Sequence, residues 1–433
     1  MGIMGIGATW PGALHGTAFA AILRYVGGMS DTIPDVYSDP LAHWFVTEAY
    51  QITDTAAFIT ASGEQIVAAG IPLYRMAYFQ NTLHPEISGK SYIWRRGSHA
   101  VIGSAPHGPD TEAEYRDSPM PPVVEQRKTI RFRLEEIALE DLKAPVLRNL
   151  KIEGCTDYVA QPLVFSTGQV DALSLVSDRP GGFDNADLRR LYQLHFAFAR
   201  ITEVHTLRDT AEYLLNAYVG RAAGRRILAG EIVRGSGQTI EAVIWYCDLR
   251  GFTGLSDRLP RDAVIALLND YFGAMGGVVT EAGGEILKFM GDGMLAIFPV
   301  EDPSVRAGVV ARAVRASSAA RLAIAALNLH RSEAGAHPVD FGLALHVGEV
   351  MFGNIGASDR LDFTVIGPAV NYAARLEKLC TVTGAPVVLS AAIASLLPAA
   401  DLAPLGQHAL KGIDEPQAAF TLTAEAPGCE AQL

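Results

Sequence analysis

Apolar positions change their period along this chain, and the changes mark out its elements. From Pro40 onward, Leu41, Phe45, Ala49, Ile52, Ala56 and Ile59 recur at helical spacing. The pattern resumes through Val67 and stops at Gly70-Ile71-Pro72. Strand patterns follow in LYRMAYF (Leu73–Phe79), KSYIWRR (Lys90–Arg96), TIRFRL (Thr129–Leu134), DYVAQPLVF (Asp157–Phe165) and DALSLVS (Asp171–Ser177). Helical spacing returns at Ala144–Glu153, with Pro145 in the first turn, and at Asn185–Thr206 after the turn SDRPGGF. Leu207, Ala211, Leu214, Leu215, Tyr218 and Ala222 then step by three and four, which predicts a connecting helix with one apolar stripe. Arg234-Gly235-Ser236-Gly237 ends it.

The carboxyl-terminal half alternates more regularly. A strand is predicted at Ala242–Asp248, a helix at Arg261–Ala282, a hairpin at Glu285–Phe298, a helix at Pro303–His330, a strand at Val339–Val347 and then a further strand pair. The first of these helices places Val264, Leu267, Leu268, Tyr271, Met275, Val278 and Val279 on one face. This βαββαβ order is that of a ferredoxin-like core, so the fold class is α/β (α+β). The amino-terminal order of helix, strands, helix, strands, helix is that of a small mixed α/β sensor fold resembling a GAF domain. The predicted organisation is an extension over 1–39, a GAF-like regulatory domain over 40–206, a helical linker over 207–238, a second domain over 239–423 and a tail over 424–433.

Candidate chemistry concentrates between Ala242 and Pro299. AVIWYC runs into DLRGFT (Asp248–Thr253), an acid at a strand end followed by a glycine turn. Free backbone N–H groups of such a strand-to-helix turn suit phosphate oxygens, which points to Gly251, Phe252 and Thr253. ILKFMGDGMLAIF (Ile286–Phe298) folds two apolar runs about Gly291-Asp292-Gly293, a hairpin signal that sets Asp292 at an exposed tip. Adjacent strands would bring Asp248 and Asp292 together, and two carboxylates beside a phosphate-binding turn suit magnesium. A lone Asp after a strand is ordinarily a turn or cap residue; the pair in this order is what carries the signal.

These motifs resemble the catalytic domain of class III nucleotidyl cyclases, over about Glu241 to Leu422. The resemblance implies that Asp248 and Asp292 hold two Mg²⁺ or Mn²⁺ ions per active site. It makes Lys288 the purine-reading lysine of adenylyl cyclases, since an ammonium can donate to adenine N1 whereas guanine presents an N1–H there. FTVIGPAVNYAARLEKL (Phe363–Leu379) resembles the family's signature segment. By that likeness Asn371 orients the ribose and Arg375 stabilises charge on the reacting phosphate, for which an always-ionised, two-pronged donor is suited. Lys411, in HALKGIDEP, matches the lysine that holds the terminal phosphates. Thr364 stands where many adenylyl cyclases carry an Asp, as in the bicarbonate-responsive subgroup, and its oxygen can still accept from the purine amine.

The expected function is therefore adenylate cyclase, converting ATP to cyclic AMP and pyrophosphate. One copy of each element, with the family's division of a site between two chains, implies a head-to-tail homodimer. An unknown small-molecule or protein signal is expected at the amino-terminal domain. Two rivals accompany this: a guanylate cyclase, which Lys288 disfavours, and a catalytically silent cyclase-fold module, which the intact Asp, Asn and Arg disfavour. Glu285 in GGEIL faintly resembles the GGDEF signature of diguanylate cyclases, which the aspartate pair and the Asn/Arg helix outweigh.

Composition narrows the rest. The chain has 433 residues, enough for two or three domains, with 49% hydrophobic and 19% charged residues, as in an ordinary globular protein. A net charge of −12 excludes a general nucleic-acid binder. Cys155, Cys247, Cys380 and Cys429 are widely spaced, with no CxxC, and read as reduced thiols or as buried small apolar residues. No apolar run of the length a membrane helix needs, no signal peptide and no myristoylation site are recognised, so a cytoplasmic location is expected. His84, Trp94, His99, His107, Tyr115 and Asp178 could line an amino-terminal pocket, but most sit in turn chemistry such as His84-Pro85 and Asp178-Arg179-Pro180.

Overall fold

The computed structural model of the protein describes residues 39–357 and 359–423. The amino-terminal extension before Asp39 and the tail from Ala424 lie outside the described residues. Contacts divide the chain into two compact units, one up to Thr210 and one from Ala211.

In the first unit, helices α1 (Pro40–Thr47) and α2 (Thr55–Ala68) precede strands β1 (Arg75–Asn81), β2 (Ile87–Arg95) and β3 (Val101–Pro106). Short helices α3 (Pro109–Arg116) and α4 (Pro121–Val124) lead to β4 (Ile130–Phe132) and helix α5 (Pro145–Ile152). Strands β5 (Asp157–Val164) and β6 (Val170–Ser177) follow, and helix α6 (Asn185–Val219) leaves the unit. The six strands form one sheet in the order β3-β2-β1-β6-β5-β4, antiparallel throughout. Alternation along β1 sends Met76 and Tyr78 to a core with Phe45, Phe58, Trp94 and Phe198. The other face meets Val123, Leu134, Leu147 and Leu150.

The helical run expected from Leu41 to Val67 is two helices. Asp54 accepts a 2.7 Å hydrogen bond from Ala57 N and starts α2 afresh, a cap that the apolar spacing concealed. Strand β3 and helices α3 and α4 carry too few buried apolar residues to have shown in the pattern. Helix α6 continues without a break past Thr206 to Val219, and the apolar stripe predicted through Ala222 is cut at Gly220, whose φ of +88° opens helix α7 (Arg221–Leu228).

The second unit follows the expected order with longer strands. Strand β7 (Gly237–Leu249) runs into the short helix α8 (Phe252–Ser256) and then helix α9 (Arg261–Glu281). The hairpin β8 (Glu285–Met290) and β9 (Gly293–Val300) is followed by α10 (Arg306–Glu333) and β10 (Phe341–Gly356). Beyond it come β11 (Leu361–Ile366), helix α11 (Pro368–Glu377), β12 (Val387–Ser390), β13 (Leu402–His408) and β14 (Gln417–Leu422), more than the single strand pair expected. The sheet order is β13-β14-β12-β10-β7-β9-β8, with β11 paired to β10. Within it, β10-β7-β9-β8 is the four-stranded antiparallel core of a βαββαβ unit.

Odd residues of β7, from Val243 to Leu249, face α9 and α10 and form a core with Leu267, Tyr271, Met275 and Val279. That packing buries one face of α9, 28% of the apolar window by which the helix would, on length and composition alone, suffice to cross a membrane. The even residues Ala242 and Ile244 face the other way, toward Leu295, Phe352, Phe363, Ala369 and Ala373. Asp248 lies on that second face.

Two glycines offer opposite tests of packing. A Cβ added at Gly63 on α2 would sit 2.4–2.6 Å from the fully buried Trp94 ring. One added at Gly273 on α9 meets nothing within 4 Å. Gly63→Ala is expected to cost about 1–3 kcal/mol through overpacking, and Gly273→Ala to be neutral or to gain up to about 1 kcal/mol of helix propensity. Urea denaturation of the two variants checks both signs.

Candidate active site

The site is built where β7 ends. Its ladder to β9 pairs Cys247 with Met294, and the hairpin pairs Met290 with Gly293, so the Gly291-Asp292 turn lies next to Asp248. Gly291 takes a φ of +67°, which a side chain would resist. A Cβ at Gly293 would lie 3.2 Å from Cys247 O and 3.4 Å from Asp248 Oδ1. Glycine there lets the hairpin tip close over the acid.

Asp292 is half-buried, not the fully exposed tip residue that the hairpin pattern suggested. The two carboxyl groups are close enough that a protonated Asp248 can donate to the Asp292 carboxylate. Burial, then this hydrogen bond and the charge of Asp292, then the charge of Glu377, push the Asp248 carboxyl up to about 7. Two acids held this close disfavour double ionisation, and hard oxygen donors facing one another suit a divalent cation. Among the described residues no three His, Cys, Asp or Glu side chains form a complete metal cage. Two carboxylates alone are what magnesium uses when water and phosphate fill its other positions.

Glu377 is the acid that sequence reasoning missed. Gly342 is the ladder partner of Asp248, and a Cβ there would lie 2.4 Å from Glu377 Oε1, so this carboxylate occupies the space above Gly342. Burial pushes its pKa up, against the pull of Arg250 and Lys378. The visible clue was an acid two residues after Arg375 in the signature segment. At helical spacing it leaves the Asn371–Arg375 face, so it did not enter the set.

Asp248, Leu249, Arg250, Gly251, Glu377, Lys378 and Thr381 line an open cleft of about 360 Å³. Arg250 braces it, donating to the carbonyls of Cys380 at 3.0 Å and Ala385 at 2.9 Å. Gly251 has φ +69° and precedes α8, so the N–H groups of Phe252 and Thr253 open that helix.

The remaining candidates sit on other elements. Lys288 is half-buried on β8, opposite Leu295 and beside a bulge. Thr364 on β11 is 6% exposed, opposite Gly353, and its hydroxyl has no hydrogen-bond partner. A buried hydroxyl without a partner is costly unless something else completes it. Pro368 occupies the first turn of α11, which presents Asn371 at the surface and Arg375 half-buried. The Arg375 guanidinium lies 3.6–3.9 Å from where a Cβ on Gly412 would be, so it stands against the turn that carries the exposed Lys411.

Residues 236–424 match the family described as the adenylate and guanylate cyclase catalytic domain. This segment is a nucleotidyl cyclase catalytic domain. The cyclase domain is similar to the adenylate cyclase of Anabaena cylindrica, 31% identical over 192 residues that make up 43% of this chain and 36% of that protein. Adenylate cyclase 1 of Rhizobium meliloti is 28% identical over 231 residues, 53% of this chain and 32% of that one. The chain thus spans about a third of the length of these curated relatives. Among solved structures, the adenylyl cyclase CyaB from P. aeruginosa is similar over 43% of this chain and 95% of its own, with 29% identity and a TM-score of 0.40.

The elevated Asp248 gives a signed pH dependence for the metal-free protein. In the unfolded chain this carboxyl ionises near its ordinary 3.8, and in the folded chain near 7. The folded state therefore holds more protons between those values, and its stability falls as pH rises through that window. Asp248→Asn removes this contribution. Its melting temperature in chelator should decline less between pH 5 and pH 8 than that of the wild type; equal declines would contradict the assignment.

Proposed function

We propose that the chain is an adenylate cyclase that makes cyclic AMP and pyrophosphate from ATP as a head-to-tail homodimer. The observation that carries the reading is the Asp248–Asp292 pair, two carboxylates in contact at a strand end beside a turn with free N–H groups. When bound by these two acids, two Mg²⁺ or Mn²⁺ ions would supply the positive charge that acidifies the ribose 3′-hydroxyl and neutralises the triphosphate.

The chain's own groups do the rest. Backbone N–H groups of Gly251, Phe252 and Thr253 receive phosphate oxygens. Lys288 donates to adenine N1, and the unpartnered Thr364 hydroxyl accepts from the adenine amine. Asn371 orients the ribose, Arg375 spreads its charge over the phosphate under attack, and Lys411 holds the terminal phosphates. The 3′-hydroxyl loses its proton to water or to substrate, so no side-chain base is required.

The disposition of α11 supports a site shared between two chains. Glu377 lies over Gly342, toward its own Asp248. Arg375 is two residues earlier, about 200° around a helix of 3.6 residues per turn. It turns instead to the loop of Lys411 and Gly412. Arg375 and Lys411 of one copy are thus grouped to serve the acids of another. A dimer of this kind has two equal sites. The names of the Anabaena and Rhizobium relatives favour ATP over GTP, as does Lys288.

Complementation tests the shared site. Asp248→Ala and Arg375→Ala are each expected to be inactive, whereas verified heterodimers of the two contain one intact site and recover up to about half of wild-type activity on the general logic of isologous assembly. Background activity in such heterodimers would reject the arrangement. Base choice has its own test, in which Lys288→Glu with Thr364→Cys presents an acceptor to adenine N1. Leaving a polar group unpaired costs about 1–3 kcal/mol, so kcat/KM for ATP should fall by about one to two decades relative to GTP. An unchanged ATP-to-GTP ratio in a folded, dimeric double mutant would remove these residues from base recognition.

A further inference from the structure

The first unit contains a buried cation with no partner. Arg75 opens β1 and is 5% exposed, yet it makes no hydrogen bond or ion pair with any described side chain, and its Nη1 is fully enclosed without a partner. Burial pushes its pKa down, and the carboxylate whose field it feels, Glu153, is engaged at the surface by Arg95 at 3.5 Å. Compare Arg331, 8% exposed, which donates to both Asp270 and the His337 carbonyl. Guanidinium groups stay charged in proteins, and an isolated buried charge is among the costliest features a fold can carry.

A buried hydroxyl lies beside it. In the sheet register, Arg75 pairs with Val176 and Val176 with Tyr158, while the next row on the same face runs Ala77, Ser174, Ala160. Ser174 is 1% exposed, and its hydroxyl has only the Tyr158 phenol as a polar neighbour, with no well-formed hydrogen bond. Tyr158 is equally buried, and Ala77, Ala160 and Ala172 give the neighbouring floor small side chains. An unpaired two-pronged cation therefore shares one face of the sheet with a buried hydroxyl and the phenol next to it.

We propose that this face of the amino-terminal unit binds a small oxyanion, a carboxylate or phosphate group, with Arg75 as its charge partner and Ser174 as a second donor. A planar or tetrahedral oxyanion accepts two N–H bonds from a guanidinium, which neither water nor chloride reproduces. The inference concerns the first unit alone and stands whether or not the second unit makes cyclic AMP.

Thermal unfolding of the full chain tests it, in sodium chloride, sodium acetate and inorganic phosphate buffers of matched ionic strength and pH. Acetate or phosphate should raise the melting temperature of the wild type over chloride, and whichever does so identifies the carboxylate or the phosphate as the recognised group. Arg75→Met, close in length but uncharged, should lose that rise and be no less stable than wild type in chloride, because it removes an unpaired buried charge. Ser174→Ala, a minimal change that removes at most the weak contact with Tyr158, should keep the fold and reduce the rise. No rise with either anion, an equal rise in Arg75→Met, or a large loss of stability for Arg75→Met in chloride would each overturn the proposal.

Discussion

Two carboxylates cannot be brought into contact without a scaffold that resists their repulsion. Here the scaffold is the β7–β9 ladder, extended by the glycine-flanked hairpin tip that closes on Asp248. Each further feature of the site takes its position from that ladder. Residues of β7 alternate between the helix-covered core and the opposite face, so the parity that buries Val243, Trp245 and Cys247 under α9 and α10 is the parity that turns Asp248 outward. A one-residue slip would bury the acid among apolar side chains. Burial of a large apolar face thereby fixes the position of a small polar one, which is how a marginally stable fold can hold charges in an unfavourable arrangement.

The same ladder places the third acid. Gly342 leaves room across from Asp248, and Glu377 of α11 takes it. Helix α11 consequently faces two ways, with an acid toward its own β7 and a base toward the turn at Lys411. That division is the basis for the proposed sharing of a site between two copies, acids from one and the Arg375–Lys411 group from the other.

Much of this was legible in the sequence, because its signals are local and periodic. The alternation of β7, the single apolar face of α9 and the Gly-Asp-Gly hairpin each follow from nearest-neighbour geometry, and together they set the βαββαβ order. The resemblance in DLRGFT, KFMGDG and NYAARLEKL supplied the candidate site residues. What escaped depends on tertiary contact. Asp54 restarts a helix within an unbroken apolar spacing, β3 is largely exposed, and Glu377 lies over the ladder partner of Asp248 only because that residue, Gly342, has no side chain. The unpartnered guanidinium of Arg75 was equally invisible, since an arginine at the start of a strand ordinarily lies in solvent.

The proposed role of this pair of acids is nucleotide cyclisation with ATP as the substrate. The most direct measurement is to incubate the purified full chain with Mn²⁺ and ATP and, separately, with Mn²⁺ and GTP, and to identify the products by mass spectrometry. Cyclic AMP with equimolar pyrophosphate is expected from ATP, with a much slower reaction of GTP and neither product when a chelator replaces the metal. Cyclic GMP as the dominant product would contradict the base assignment, and no cyclic nucleotide from a folded dimer would contradict the enzyme itself.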